Sequence, residues 1–387
     1  DDRARLELDL RMKLARELSA SPGFSSAKQG SSLARALELC NRIGDSSNLG
    51  YIQSYQARSQ LAAAEYEAVW SLCDQRLELA KSLGDPVLLT ATHCQLGEVA
   101  MERADFERAR QEYERCLEAT EGVDPSKHHA MHGQDPAVLA LGQSGWNAWQ
   151  QGFPDEAQRN AEACLARADF IGYPLDRTIA RILALTVAVV RRDVDAAASL
   201  AGAYEGLVEK YGFIMPQPLV PAAIGWLLAR NGNTAAAAER MREGIAASHS
   251  AGSLRFASYL LVTVAQTELE QGGAEEGFKA LGEALTHVEK TGERPYEAEI
   301  HRLRGELLRL DGGNERAGDC FEQALEVARN QGARSLELRA ATSLFRIWRD
   351  ESREDEARSL LASVYDGFTE GFDTQDLRDA KALLDSL

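Results

Sequence analysis

The sequence is organised by a repeat of 40 residues, and this period constrains the fold more than any other feature. Five glycines stand at this interval: Gly172, Gly212, Gly252, Gly292 and Gly332. Earlier in the chain, Gly44 and Gly84 are separated by the same distance. A period of about 20 to 50 residues indicates supersecondary units that bury their apolar faces against one another. We therefore expect a repeat array rather than independent globular domains.

A second series of turn positions lies half a period from the first. Its markers are Ala64, Ala104, Gly152, Arg192, Gly232, Gly272, Gly312 and Ser352. Acidic residues or Asn follow several of these positions, as at the N-terminus of a helix, where they cap free N–H groups and complement the helix dipole. Each half-period therefore predicts a helix of about 16 residues. Leu303, Leu307 and Leu310 illustrate the helical spacing of apolar residues between turns.

A helical hairpin cannot bury its apolar stripe alone, so successive hairpins must stack. The sequence predicts an all-α, right-handed solenoid of about nine hairpins in a single domain, 1–387. The units begin near residues 9, 49, 89, 137, 177, 217, 257, 297 and 337. An insertion over 121–136 lengthens the interval between the third and fourth units. An amphipathic helix at 374–387 is expected to cap the end of the stack.

Composition and charge argue against several classes of protein. The chain has 43 Lys and Arg against 60 Asp and Glu, a net charge of −17, which disfavours general nucleic-acid binding because affinity for phosphate needs surplus cations. No apolar run approaches the ~18 residues of a membrane-spanning helix. The six cysteines lack CxxC spacing, which predicts reduced thiols and a cytoplasmic location. The chain begins at Asp1 without an initiator Met, which we interpret as a fragment or a processed chain.

In the eighth unit, Gly305 and Leu308 are followed by Ala317, Phe321 and Ala324. This order of residue sizes resembles the tetratricopeptide repeat (TPR), lengthened here from its usual period of about 34 residues. Small residues allow two helices to approach closely, and the aromatic ring fills the space beside them. The resemblance implies a superhelix in which the first helix of each unit lines a concave groove.

Three segments carry a narrower resemblance: 293–308, 332–341 and 371–377. They resemble the C-terminal helical region of bacterial STAND-type signalling ATPases, in which a nucleotide cyclase or a DNA-binding effector precedes a P-loop ATPase and a TPR-like sensor ends the chain. LuxR-type and maltose-regulator-like transcription activators share this plan. No GxxxxGK[ST] loop occurs in the sequence, so no nucleotide site or other cofactor site can be transferred from that family.

By the TPR resemblance, the residues two, five, nine and twelve positions after each unit origin face the concave groove. Ten of them are our candidate partner-binding residues: Trp146, Trp149, Ile182, Val189, Trp226, Tyr259, Val262, Arg302, Arg309 and Arg346. The middle of the predicted groove is therefore apolar and aromatic, and its end carries arginine. Two interpretations are open. The groove binds a partner helix, a peptide or an apolar ligand, or tight curvature buries these residues across a narrow lumen.

Other candidate chemistry is sparse. His128, His129 and His132 lie close together in the insertion, which Pro125 and Pro136 border. Zinc sites generally need three or four ordered ligands, so we interpret the segment as a solvated loop rather than a metal site. No sequence pattern typical of nucleophilic, zinc-dependent or dinucleotide-dependent catalysis occurs. We therefore expect no enzymatic activity, no cofactor and no metal.

The combined prediction is a non-catalytic protein-interaction or ligand-sensing domain of a larger bacterial signalling or transcription-regulatory ATPase. Its expected partners are a protein or peptide, or a small apolar ligand, together with covalently linked ATPase and effector domains. Nucleic acid and membranes are not expected partners of this region. Two alternatives remain: a structural scaffold or oligomerisation module, and an all-helical enzyme whose site lies inside the superhelix.

Overall fold

The computed structural model describes residues 2–19, 27–212, 219–310 and 312–386. Every regular element within these ranges is an α-helix. The predicted unit origin at 217 and the chain positions 1 and 387 lie outside the described residues.

The described residues form twenty helices. They are α1 (Asp2–Ser19), α2 (Ala27–Ile43), α3 (Ser46–Ala62), α4 (Tyr66–Leu83), α5 (Pro86–Glu102), α6 (Phe106–Thr120), α7 (Pro125–His132), α8 (Pro136–Gln150), α9 (Pro154–Ile171), α10 (Pro174–Val190), α11 (Val194–Tyr211), α12 (Leu219–Arg230), α13 (Thr234–Ser250), α14 (Ala257–Glu270), α15 (Ala274–Thr291), α16 (Glu297–Leu310), α17 (Asn314–Gln331), α18 (Arg334–Asp350), α19 (Glu354–Tyr365) and α20 (Gln375–Asp385). None of these twenty helices is both long enough and apolar enough to cross a membrane.

Eighteen of these helices pair into nine hairpins, from α1–α2 to α18–α19. We call the first helix of each hairpin the A helix and the second the B helix. Helix α7 is inserted between the third and fourth hairpins, and α20 follows the ninth and packs against α18 and α19. The predicted all-α solenoid of about nine hairpins is therefore confirmed.

The turn between the A and B helices explains the second series of markers. All eight marker positions adopt a positive φ, from 58° at Ala64 to 89° at Gly152. Four of the eight are not glycine: Ala64, Ala104, Arg192 and Ser352. Non-glycine residues tolerate this region poorly, so the tight connection between the helices imposes the conformation. Backbone hydrogen bonds such as Asp105 N to Ala100 O (2.9 Å) close the turn.

Within a hairpin, the two helices approach most closely where a glycine faces an aromatic ring. A Cβ atom at Gly305 would lie 2.5 Å from Cε1 of Phe321, and one at Gly97 would lie 2.5 Å from Cε1 of Tyr113. Both rings are fully buried. No side chain larger than hydrogen fits at these crossings without displacing the ring, which accounts for the small-and-aromatic pattern of the repeat.

The superhelix is wound so tightly that hairpins far apart in sequence meet. Leu254 N donates to Ala62 O (2.8 Å), and Arg294 N donates to Glu102 O (2.8 Å). In the same way, Ser335 Oγ donates to the carbonyl oxygen at the end of α8 (2.5 Å). The second, third and fourth hairpins thus contact the seventh, eighth and ninth. We call this contact between successive turns of the superhelix the seam.

The C-terminal segment extends the seam beyond the ninth hairpin. The Glu370 carboxylate accepts hydrogen bonds from the N–H groups of Asp155 (2.9 Å) and Glu156 (2.7 Å) in the first turn of α9. Asp376 in α20 pairs with Arg192 in the turn that follows α10 (3.0 Å). A carboxylate at a helix N-terminus satisfies free N–H groups and complements the helix dipole. The end of the chain is therefore anchored to the fourth and fifth hairpins.

Buried carboxylates fill the seam. Arg255 donates to Glu102 (2.6 Å) and Glu98 (2.8 Å), across the two turns. Beside this pair, Glu293 accepts hydrogen bonds from Tyr66 Oη and from the backbone N–H of Phe256, each at 2.9 Å. Burial raises the pKa of Glu102 to about 8; Arg255 opposes this shift, while Glu293 and Glu98 add negative charge that reinforces it. One guanidinium therefore serves two glutamates, and Glu102 retains its proton near neutral pH.

The seam also holds a strained residue. Phe256 has a φ of 66°, a conformation that costs about 1–3 kcal/mol for a residue with a side chain. It persists because its N–H is bound by Glu293 and its ring lies under the guanidinium of Arg255, 4.2 Å from the ring centroid. These contacts thus outweigh a local backbone preference.

In the native protein, the free energy of unfolding should fall as pH rises because of Glu102. We expect the Glu102→Gln variant to lose this pH dependence of stability. The folded protein keeps the Glu102 proton up to about pH 8, whereas the unfolded chain releases it near the ordinary value of 4.5. The free energy of unfolding therefore falls as pH rises between these values, by at most about 1.4 kcal/mol per pH unit from this group, and levels off above them. Urea denaturation from about pH 6 to about pH 8 measures the slope.

Glutamine keeps a neutral hydrogen-bonding partner for Arg255 and carries no titratable proton. The matched control is Glu114→Gln on the exposed face of α6, which should keep the native slope. Equal slopes for the native protein and the Glu102→Gln variant would contradict the assignment.

Candidate binding site

Trp146 and Trp149 lie in the seam and not on an open groove. Trp146 Nε1 donates to Tyr296 Oη (2.9 Å), and its ring packs against Phe256 and Tyr259 with centroid separations of 5.6 and 5.5 Å. Both indoles are only 2% exposed. The contact between turns of the superhelix buries them, so the expectation that they line an accessible groove is corrected.

Ile182 is likewise buried, in the core of the fifth hairpin. It cannot contact a partner unless the helices separate. The contact between turns and the packing of the fifth hairpin therefore leave three of the ten candidate residues only 2% exposed.

The concave face opens between the fifth and ninth hairpins. There the A helices border a shallow cleft that is open to solvent and has a cavity volume of about 50 Å³. We call it the central cleft, and its lining residues are Val189, Val190, Arg192, Trp226, Arg230, Tyr259, Val262, Thr263, Gln266, Tyr296, Glu299 and Arg339. Four of the sequence-predicted candidates are among them: Val189, Trp226, Tyr259 and Val262.

One wall of the central cleft is apolar and carries an unused hydrogen-bond donor. Trp226 and Val262 present apolar side chains, and the guanidinium of Arg230 lies 5.4 Å from the Trp226 ring centroid. The buried Tyr259 hydroxyl has no hydrogen-bond partner among the described residues, and burial raises its pKa above the usual value. A buried polar atom without a partner is costly, so a ligand acceptor placed here would gain a hydrogen bond.

The floor of the central cleft is ionic. Glu299 accepts two hydrogen bonds from Arg302, each of 2.8 Å, and lies 3.6 Å from Arg339. Burial opposes ionisation, but these arginines together with Arg192 lower the pKa of Glu299 to about 2. Arg339 is held in turn by Asp376 (2.9 Å). The floor is thus a network of ion pairs in which each charged group is held by a partner.

The ten candidate residues predicted from the repeat do not include Arg192, Arg339 or Asp376. Arg339 stands two positions after a unit origin, so the repeat pattern contained a signal for it. Arg192 was assigned to a turn, and Asp376 belongs to the capping helix. Their convergence depends on the docking of α20 on the fifth hairpin, which no local pattern encodes.

The remaining arginine candidates are not among the lining residues of the central cleft. Arg302 and Arg309 both pair with Glu306, at 3.3 Å each. Arg346 is half-buried and makes no hydrogen bond or ion pair within the described part of the chain. Burial lowers its pKa; Glu306 opposes this shift, and the neighbouring Arg302 and Arg309 add to it. Arg346 is therefore a cation available to an anionic group.

The histidine segment differs from its prediction. Residues 125–132 form helix α7 rather than a solvated loop, because Asp124 caps the N–H of Ser126 (2.9 Å) and Pro125 occupies the first turn. His128 and His132 are buried, at 0% and 2% exposure, and burial lowers the pKa of both. Within the described ranges, no group of three or more His, Cys, Asp or Glu residues could hold a metal ion.

The comparison with known families finds the tetratricopeptide repeat. Its model matches residues 256–330, which span the seventh and eighth hairpins. A search of curated proteins gives no match.

Solved structures share the whole architecture. A Rap protein complexed with competence and sporulation factor superposes with a TM-score of 0.60 and 13% identity, covering 100% of this chain and 99% of that one. The apo form of the quorum sensor NprR from B. thuringiensis gives 0.54 and 11% identity, covering 94% and 98%. At these identities the similarity establishes a TPR-like helical fold and nothing finer.

A STAND signal transduction ATPase with a tetratricopeptide repeat sensor, from Pyrococcus horikoshii, gives a lower TM-score of 0.42 and 12% identity. It covers 94% of this chain but only 53% of the ATPase. A TM-score at this level supports no assignment, so membership of the STAND group stays a prediction.

We expect Trp146→Ala to destabilise the protein rather than to affect binding alone. Removing a buried indole costs about 3–5 kcal/mol of unfolding free energy, whereas Tyr296→Phe removes only its hydrogen bond and costs about 1 kcal/mol. Urea denaturation measures both losses. As a control, Phe170→Ala on α9 should change stability by less than about 0.5 kcal/mol, because Phe170 is 85% exposed. A loss in Trp146→Ala no larger than in this control would show that the seam is open in solution.

Proposed function

We propose that this chain is a non-catalytic sensor that binds an extended peptide in the central cleft. The observation that carries the proposal is the buried hydroxyl of Tyr259, which lacks a hydrogen-bond partner in the described part of the chain and lies beside the apolar wall of Trp226 and Val262. Ligand sites are typically apolar pockets with a few well-placed polar groups. The central cleft has this composition, and it is the part of the concave face that the seam leaves open.

The contacts define how a peptide would lie. An apolar side chain would pack against Trp226, and a backbone carbonyl would accept a hydrogen bond from Tyr259 Oη. Arg346, which has no hydrogen-bond or ion-pair partner among the described residues, would attract a carboxylate at one end of the peptide. An open cleft lined by five A helices offers length for such an extended segment.

The chemistry of the central cleft favours binding over catalysis. A general base must accept a proton near the working pH. Glu299 is the carboxylate of the cleft, and its pKa of about 2 makes it too weak a base, while Arg302 occupies both of its oxygens.

Other proteins with this fold support the proposal of a sensing role. The Rap protein is complexed with competence and sporulation factor, and NprR is a quorum sensor. We further propose, from the sequence resemblance over 290–387, that this region reports to an ATPase or effector domain of a larger signalling protein. A ligand can do so only if it binds two arrangements of the superhelix with different affinity.

The test begins with selection of peptides on the full chain from a random display library. The dissociation constant of an enriched peptide is then measured by calorimetry. We expect Trp226→Ala to raise it at least tenfold, since it removes the apolar wall, and Tyr259→Phe to raise it about fivefold, since it removes one hydrogen bond. Phe170→Ala, an exposed aromatic residue on a B helix, should leave it unchanged. Failure to enrich any peptide, or unchanged affinity in the Trp226 variant, would refute the proposal.

A further inference from the structure

A second cleft lies between the B helices α13 and α15, over the start of α14. Ile245, Ser248, Ala257, Leu260, Leu261 and Gly282 are among its lining residues, and its volume is about 560 Å³. We call it the B-helix cleft. It shares no lining residue with the central cleft: α14 presents Leu260 and Leu261 to one and Tyr259 and Val262 to the other. The two clefts are therefore separate sites on opposite faces of one helix.

The size and lining of the B-helix cleft suit a small organic molecule. Pockets for such ligands typically have volumes of about 300–1,000 Å³. Leu260, Leu261 and Ile245 give it an apolar interior. Gly282 keeps the space open, because a Cβ at this position would meet no atom within 4 Å. Glycine weakens a helix interior, and here no close contact within the fold requires it.

Two residues that line the B-helix cleft have a buried polar atom with no hydrogen-bond partner among the described residues, Ser248 Oγ and His287 Nε2. Ser248 is only 4% exposed, and its hydroxyl has no hydrogen-bond partner among the described residues. A buried hydroxyl without a partner is unusual and calls for an explanation. An oxygen atom of a bound molecule would satisfy it.

The charges around the B-helix cleft favour a neutral ligand. Lys279 and Glu283 both line it and carry opposite charges, so they provide no net field for an ion. The lining residue His287 has its Nε2 3.3 Å from the buried carboxylate of Glu293, which disfavours a second anion nearby. A charged head group would lose its hydration here without a matched partner. We propose that the B-helix cleft binds a neutral molecule with an apolar body and one hydroxyl or carbonyl oxygen.

Three probes with the same ten-carbon chain separate this proposal from nonspecific adsorption: decan-1-ol, decanoate and decylammonium. Calorimetric titration of the full chain should give saturable binding of decan-1-ol. We expect decanoate and decylammonium to bind at least tenfold more weakly, because burying their charge is costly. Equal binding of all three probes, or no saturable binding of decan-1-ol, would overturn the proposal.

Two substitutions locate the binding. Gly282→Phe should fill the B-helix cleft and raise the dissociation constant of decan-1-ol at least tenfold, without disturbing the fold, because its Cβ meets open space. Ser248→Ala should raise it about fivefold through loss of one hydrogen bond. The matched control is Gly206→Phe on the exposed face of α11, where a Cβ also meets nothing within 4 Å; it should change the constant less than twofold. Unchanged affinity in Gly282→Phe would place the probe elsewhere and defeat the proposal.

Discussion

The contact between successive turns of the superhelix controls the shape of this molecule. Backbone N–H groups that precede two A helices donate to carbonyls at the ends of A helices one turn away, as Leu254 does to Ala62, and the Ser335 hydroxyl makes the third such bond. Arg255 then lies between Glu98 and Glu102 in the buried interface. Removing one partner from such a buried group leaves an uncompensated charge, which is far more costly than loss of a surface pair. The seam therefore fixes the curvature of the whole array.

The same contact divides the concave face into two parts. In the first half, the seam and helix α7 occupy the space that a wider superhelix would leave open; Tyr55 Oη donates to Met131 O of α7 (2.6 Å). In the second half, the A helices border the central cleft, whose floor is held by Arg339 and Asp376. On the concave face of the described residues, the A helices are therefore accessible where no neighbouring turn covers them.

Local features of the sequence predicted the local structure well, because each repeat encodes its own turns and crossings. The glycine spacing predicts the hairpins. The pairing of Gly305 with Phe321 predicts the close approach of the two helices within a hairpin. Helix α7 was missed although Asp124 and Pro125 are helix-start signals: proline was interpreted as a boundary of a loop, whereas it is favourable in the first helical turn.

Contacts between turns could not be predicted in this way. Trp146 and Trp226 stand nine residues after their unit origins and are equivalent in the repeat. One is buried against Tyr296, and the other lines the central cleft. The difference depends on which distant hairpin covers each A helix, and the hydrophobic pattern holds no information on that pairing.

The seam also bears on how the chain folds and melts. In an open solenoid each repeat touches only its neighbours, so unfolding can begin at either end and proceed stepwise. Here the bond from Arg294 to Glu102 ties the eighth hairpin to the third. Contacts of such long sequence separation form late and slow folding. The array should therefore unfold cooperatively rather than repeat by repeat. During synthesis, its first hairpins should reach full stability only after the last hairpins have been made.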